Sequence, residues 1–247
     1  MSEMKFPVGI QQFEKLRQGG YVYIDKTRYI YDLVDRGCYY FLSRPRRFGK
    51  SLLMSTIEAY LSGRKDLFEG LALEKLETEW TQYPILHLDL NSQKYDPPEA
   101  LTEVLDETLT KWETVFGSND AEIGLGRRFG GVMQRAYEKT GRQVVVLIDE
   151  YDKPLLQAYG NDDLLNDYRG TLKAFYGNLK SCDKYIKFAL LTGVTKFGKV
   201  SVFSDLNNLM DISMDLRYAP ICGITEGELH DYFDNEIQLL AEAQKMT

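Results

Sequence analysis

Gly49-Lys50-Ser51 and Asp149-Glu150 are the residues whose types and order could do chemistry. A lysine and a hydroxyl directly after a glycine suit a phosphate chain. The lysine brings a point charge to the β and γ oxygens, and the hydroxyl can ligate magnesium. Nucleoside triphosphate hydrolysis needs, beyond that cradle, a carboxylate near the metal and a group that orients water. Lys50 is therefore the candidate for the phosphates, Ser51 and Asp149 for Mg2+, and Glu150 for the attacking water. Thr192 ends a later apolar run, where its hydroxyl could stand beside the γ-phosphate, with Thr195 as a neighbouring alternative. Arg46, Arg47, Phe48, Gly49, Lys50, Ser51 and Leu52 make up the expected nucleotide-binding loop.

Each motif has a plainer alternative. Gly-Lys-Ser also describes an exposed basic loop capped by Ser51, and Asp149-Glu150 a strand end turning polar where it meets water. A threonine at a strand end can simply satisfy the backbone. Arg44, Arg46 and Arg47 fit a phosphate clamp, a nucleic-acid contact or a solvated loop. Asp25-Lys26-Thr27 could reach a nucleotide from the amino-terminal side, but a helix cap explains its Asp and Thr equally well. The loop departs from G-x-x-x-x-G-K-[ST] at the first glycine, which here is Arg44. Glycine normally permits the tight turn, so the loop must turn differently or bind less tightly.

The elements that position these groups follow from apolar patterning. Tyr39-Tyr40-Phe41-Leu42 is a β-type run, and Leu53, Ile57, Tyr60 and Leu61 after it share one helical face, with Gly63 as a stop. A second strand is expected over residues 84–90. Asp96-Pro97-Pro98-Glu99 then reads as an N-cap, a proline at the first helical position and a glutamate at the third. Leu101, Val104, Leu105, Leu109 and Trp112 carry that helix's stripe, and Phe129, Val132, Met133, Ala136 and Tyr137 carry the next. Residues 144–148 form a continuous apolar run, as in a parallel strand covered on both faces. A helix over residues 164–179, a strand over 188–192, a short strand near 218–222 and a helix capped by Thr225-Glu226-Gly227-Glu228 complete the pattern. Residues 197–214 read as a long polar loop, functional or mobile. Strands alternating with helices predict an α/β fold with a mainly parallel sheet.

Composition narrows the function class. The chain of 247 residues can hold one large domain or one with a small appendage. A net charge of -7 argues against wholesale coating of nucleic acid, while leaving room for a local basic patch. The three cysteines, Cys38, Cys182 and Cys222, are odd in number and far apart, which suits a reducing cytosol. Two histidines, His87 and His230, offer poor material for a zinc site. No stretch has the length and apolarity of a signal peptide or membrane span, and a cytoplasmic location without membrane contact is expected.

Taken together, Gly9-Ile10, Phe13, Tyr23-Ile24-Asp25-Lys26-Thr27, Arg44-Pro45-Arg46-Arg47-Phe48-Gly49-Lys50-Ser51, Ile148-Asp149-Glu150-Tyr151-Asp152-Lys153-Pro154 and Leu191-Thr192-Gly193-Val194-Thr195 resemble the AAA-ATPase-like family of bacterial P-loop proteins. The likeness covers nearly the whole chain. It implies a three-layer P-loop NTPase fold of the additional-strand class, in which arginine at the first loop glycine is usual. It also implies that Lys50, Ser51, Asp149 and Glu150 match the family's nucleotide motifs, with ATP and Mg2+ as cofactors. Members commonly continue into a PD-(D/E)XK nuclease-like domain, which is not visible here.

The apolar face of residues 226–240 (Leu229, Phe233, Ile237, Leu240) has no later partner in sequence. Either it docks back, or the molecule is cut from something longer. The expected division is a P-loop ATPase domain over residues 1–222, with an amino-terminal extension over 1–37. The beginning of a helical lid follows over 223–247. The expected function is an ATPase that switches or powers an effector linked to nucleic-acid processing, and a homo-oligomer is one arrangement it could take. The alternative is a nucleotide-dependent binding or scaffold module with little hydrolysis.

Overall fold

The computed structural model describes residues 5–91, 93–196, 202 and 208–244. The chain opens with helices α1 (Phe13–Gln18) and α2 (Thr27–Arg36), followed by strand β1 (Tyr39–Ser43) and α3 (Lys50–Leu61). Next come α4 (Ala72–Leu76), β2 (Ile85–Asp89), α5 (Ala100–Phe116), α6 (Leu125–Thr140) and β3 (Val144–Asp149). Helices α7 (Lys153–Gln157), α8 (Asp162–Tyr176) and α9 (Asn178–Ser181) lead to β4 (Ile186–Gly193), then β5 (Met210–Asp211) and α10 (Glu226–Ala243).

The strands form one five-stranded sheet in the order β2-β3-β4-β1-β5, and every pairing is parallel. Strand β4 is thus inserted between β1 and β3, which is the additional-strand arrangement. All six residues of β3 are buried. Alternate strand residues feed two cores. Phe41, Val146, Ile148 and Leu191 pack with α5, α6 and α8 on one face. Tyr40, Leu42, Leu147 and Leu190 pack with α1, α2 and α3 on the other. Three layers result, as the alternation of elements predicts. Because the strands are parallel, their carboxyl ends share one edge, where open α/β sheets bind ligands.

Two local expectations are corrected. The helix expected to start at Asp96-Pro97 begins at Ala100, with Glu99 at its N-cap and no side-chain cap. Pro98 steers Pro97 away from helical backbone, as any proline does to its predecessor. Pro97 O then accepts from Ala100 N at 3.1 Å and from the Tyr168 hydroxyl at 2.7 Å, fixing a turn. The strand expected near residues 218–222 is instead a 3₁₀ turn, Leu216–Ile221, opened by the Asp215 side chain accepting from Arg217 N. Pro220 within it has no N–H to give to a ladder. The edge strand is Met210–Asp211, inside the segment read as a polar loop. Residues 197–201 and 203–207 of that segment lie outside the described residues.

Helix α10 has the expected capping box between Thr225 and Glu228, and it docks back. Lys26 Nζ donates to the Glu228 carboxylate. Asp25 N donates to the Tyr232 hydroxyl at 3.2 Å, and Phe233 stacks on Phe6 at 6.0 Å. Leu229 and Leu240 stay exposed. Asp25 itself accepts from Thr27 N and Thr27 Oγ1 at 2.8 and 2.7 Å, and from Ala72 N at 2.7 Å. Its carboxylate is occupied in joining α2 to α4.

Candidate nucleotide site

The phosphate-loop candidate fills the turn between β1 and α3. Arg47 and Gly49 hold φ of 64° and 86°, while Arg44 is not among the residues with positive φ. The turn that a first glycine would supply has therefore moved to Arg47. Left-handed residues alternating with others gather backbone N–H groups toward one point, which makes an anion cradle. Arg44 is engaged with the neighbouring strands. Its guanidinium donates to Ser213 O and Ser43 O, and its N–H to Gly193 O. The loop is also tied from behind, since Gly223 N donates to Phe48 O at 3.0 Å. Arg46 and Arg47 are exposed.

Lys50 starts α3 and is buried, its Nζ 3.0 Å from Glu150 Oε1. It also donates to Arg44 O at 3.1 Å and Pro45 O at 3.3 Å. Ser51 does not cap the helix, because Gly49 is the N-cap. Its hydroxyl donates instead to Asp149 Oδ2 at 2.8 Å. The other oxygen of Asp149 accepts from the Thr192 hydroxyl. Strand register explains the meeting. Asp149 ends β3, Thr192 lies one residue from the end of β4, and Leu42 pairs with Thr192 just before the loop leaves β1. Ser51, Asp149 and Thr192 are thus joined by hydrogen bonds, and the Lys50–Glu150 ion pair lies directly beside them in the chain.

Glu150 sits just past the strand at φ 55°. Burial pushes its carboxyl above the ordinary value, and the hydrogen bond and charge of Lys50 only partly oppose this. Ser51 and Asp149 suit Mg2+ chemically. Both offer hard oxygen, the ligand type Mg2+ prefers, and their oxygens already meet at 2.8 Å through a hydrogen bond.

Beside the loop opens a largely apolar cavity of about 450 Å³, lined among others by Tyr23, Ile24, Phe48, Leu52, Ile224 and Phe233. Three pieces of chain build it. They are the amino-terminal segment, the start of α3, and the segment leading into α10. Ser55 Oγ on α3 holds the first piece in place, accepting from Phe13 N and donating to Gln11 O, both at 3.0 Å. Cys222 also lines the cavity, and burial pushes its thiol up to about 11, so it is a neutral apolar wall at pH 7.

Sequence patterning did not single out this cavity, because its walls come from segments far apart in the chain that only the fold brings together. It also passed over Asp152, which is fully buried and bonded to residues 194 and 195. The signals were an acid recurring in Asp149-Glu150-Tyr151-Asp152 and the place of Asp152 in the string Ile148–Pro154 that carries the family resemblance. Asp89 ends β2 in register with Asp149, and its carboxylate accepts from Asn91 N at 2.7 Å.

An all-parallel sheet with an inserted strand, a Gly-Lys-Ser turn opening a helix and a carboxylate ending a facing strand define a P-loop NTPase-like fold. The chain belongs to the AAA-ATPase-like family, described as predicted AAA-ATPase, whose model matches residues 7–203. A protein of Azotobacter chroococcum mcd 1, described as an uncharacterized protein in the vnfD 5' region, is 40% identical over 239 residues. That match covers 96% of this chain and 46% of the other, so the chain spans less than half the length of this relative. No solved structure matches the chain. Among the described residues, no helix is long and apolar enough to cross a membrane.

Proposed function

We propose that the chain is a Mg2+-dependent ATPase. The reading is carried by the hydrogen-bonded group that joins the first turn of α3 to the ends of β3 and β4, with Ser51 Oγ 2.8 Å from Asp149. In this reading the β and γ phosphates lie over the N–H groups of residues 46–52 and take Lys50 from Glu150. Ser51 and Asp149 would hold Mg2+, which supplies charge neutralisation at the phosphates when bound. Thr192 keeps the Asp149 carboxylate turned toward Ser51 and sets the γ-phosphate end of the site. Glu150, released from Lys50, accepts a proton from the attacking water.

The apolar cavity beside Phe48 takes the base. Residues 1–222 then form the nucleotide-binding unit, and residues 223–247 supply the helix that closes on it. An effector acting on nucleic acid and a homo-oligomer belong to the same reading. Phosphate release by the purified protein, with and without excess chelator, tests it. Release that needs the divalent cation is expected, and its absence at saturating ATP would leave a binding module.

That second reading draws on one observation, the ion pair between Lys50 and Glu150 at 3.0 Å. If the pair persists beside bound nucleotide, Glu150 is not free to act on water. Stoichiometric ATP binding without phosphate release would favour it.

A further inference from the structure

The run Asp149-Glu150-Tyr151-Asp152 holds an acid that the proposed chemistry leaves unused. Asp152 is fully buried. A carboxylate in that position needs hydrogen bonds to replace its water. Those bonds come from the segment leaving β4. Oδ1 accepts from Val194 N at 3.2 Å, while Oδ2 accepts from Thr195 N at 2.7 Å and Thr195 Oγ1 at 2.8 Å. Tyr151 adds two more contacts to the same segment. Its N–H donates to Thr192 O at 2.9 Å and its hydroxyl to Thr195 O at 3.1 Å. On the other side of Glu150, Asp149 accepts from the Thr192 hydroxyl.

The residues flanking Glu150 are therefore stitched to residues 192–195, and Glu150 between them points to Lys50. Its φ of 55° is one that a residue with a side chain keeps only where its surroundings impose it. The approach of the two segments depends on Gly193. A Cβ there would lie 2.6 Å from the Tyr151 ring and 2.7 Å from Asp152 Oδ1.

We propose that Asp152 is a positioning residue for Glu150. It clamps the exit of β4 to the turn after β3, and that clamp holds Glu150 in the left-handed conformation that aims its carboxylate into the phosphate cradle. The inference rests on Glu150 being the base of the proposed ATPase. Asp152 itself is fully buried with its carboxylate on residues 194 and 195, so it acts through Glu150. The phosphate loop meets the same segment where Arg44 N donates to Gly193 O, but it has two ties that do not pass through Asp152, Arg44 on Ser213 O and Gly223 N on Phe48 O. Loosening the clamp should misaim the base and leave the cradle intact.

The test is Asp152→Asn in the native and Glu150→Gln backgrounds, with single-turnover phosphate release, KM and calorimetric ATP affinity measured for each. Misplacement of a reacting group by about 1 Å can cost about 10²-fold. A fall of about 10-fold to 10²-fold is therefore expected in the native background, with KM and affinity little changed. No further fall is expected once Glu150 is glutamine. Equal losses in both backgrounds would overturn the inference, and so would a loss of affinity in step with rate. Unchanged turnover in Glu150→Gln alone would remove the base assignment, and the inference with it. If Asp152→Asn does not fold, Thr195→Val removes one of the three bonds and keeps the carboxylate. It should show the same background dependence at roughly fivefold, the scale of one hydrogen bond, and its lack would overturn the inference.

Discussion

Lys50 has three N–H donors, and three acceptors stand around it: Arg44 O, Pro45 O and Glu150. A nucleotide must replace at least one of them to bind. Lys50→Ala removes the point charge aimed at the β and γ phosphates, and ATP binding by calorimetry should disappear in a protein that still folds. Undiminished affinity would end the phosphate-loop assignment. Glu150→Gln also gives Lys50 up more readily, because an amide holds an ammonium less strongly than a carboxylate. ATP affinity should be retained or rise, while hydrolysis slows by about 10² or more, the scale of a lost general base. A variant that turns over at the native rate would show that Glu150 is not the base.

At the scale of elements, what was legible in sequence was what burial dictates. The six residues of β3 announce themselves because a strand covered on both faces must be apolar throughout. The Gly49-Lys50-Ser51 turn and the Thr225–Glu228 capping box are local, set by residues within one helical turn. The misread pieces are those whose backbone is decided by distant partners. Pro97 O is held by Tyr168 from α8, and Met210–Asp211 is a strand only because β1 offers it an edge. Asp152 belongs with them, since its partners, residues 194 and 195, follow the neighbouring strand, 42 and 43 residues on in sequence.

Helix α10 gives a test at the same scale. Burial pushes the Glu228 carboxyl up, but hydrogen bonds from Lys26 and Thr225 outweigh it and hold the group below its ordinary 4.5. A carboxyl whose folded pKa is depressed contributes stability above its unfolded value and loses it as pH falls through the folded one. Glu228→Gln should therefore melt below the native protein at neutral pH. The gap should close as pH drops below 4.5. A gap that is constant across that range would show that the Lys26 contact contributes nothing.

For the whole molecule, the arginines of the proposed phosphate loop divide into two groups. Arg44 is turned onto Ser213 O, and Arg46 and Arg47 stand exposed at the rim. An arginine reaching the γ-phosphate from a second copy can add about 10³–10⁵ in rate. Turnover per chain should then be low at dilution and climb with protein concentration in a steady-state assay. Concentration-independent turnover on the order of tens per second would show one chain to be sufficient. The strand order has a consequence for how the molecule is made. Among the described residues, β1 pairs only with β4 and β5, so the strand that leads into the proposed phosphate loop is the earliest of these five strands to be synthesised and waits for partners much later in the chain. At about 5–20 residues per second, the roughly 150 residues between them take about 8–30 s to emerge from a ribosome. During that interval Tyr39, Tyr40, Phe41 and Leu42 have no ladder to join, and nonlocal pairing of this kind is slow to form. Assembly of the sheet should begin instead at β3 and β4, the parallel neighbours closest in sequence. A nascent chain halted before Ile186 would offer the unpaired β1 to any apolar surface nearby, chaperone or aggregate alike.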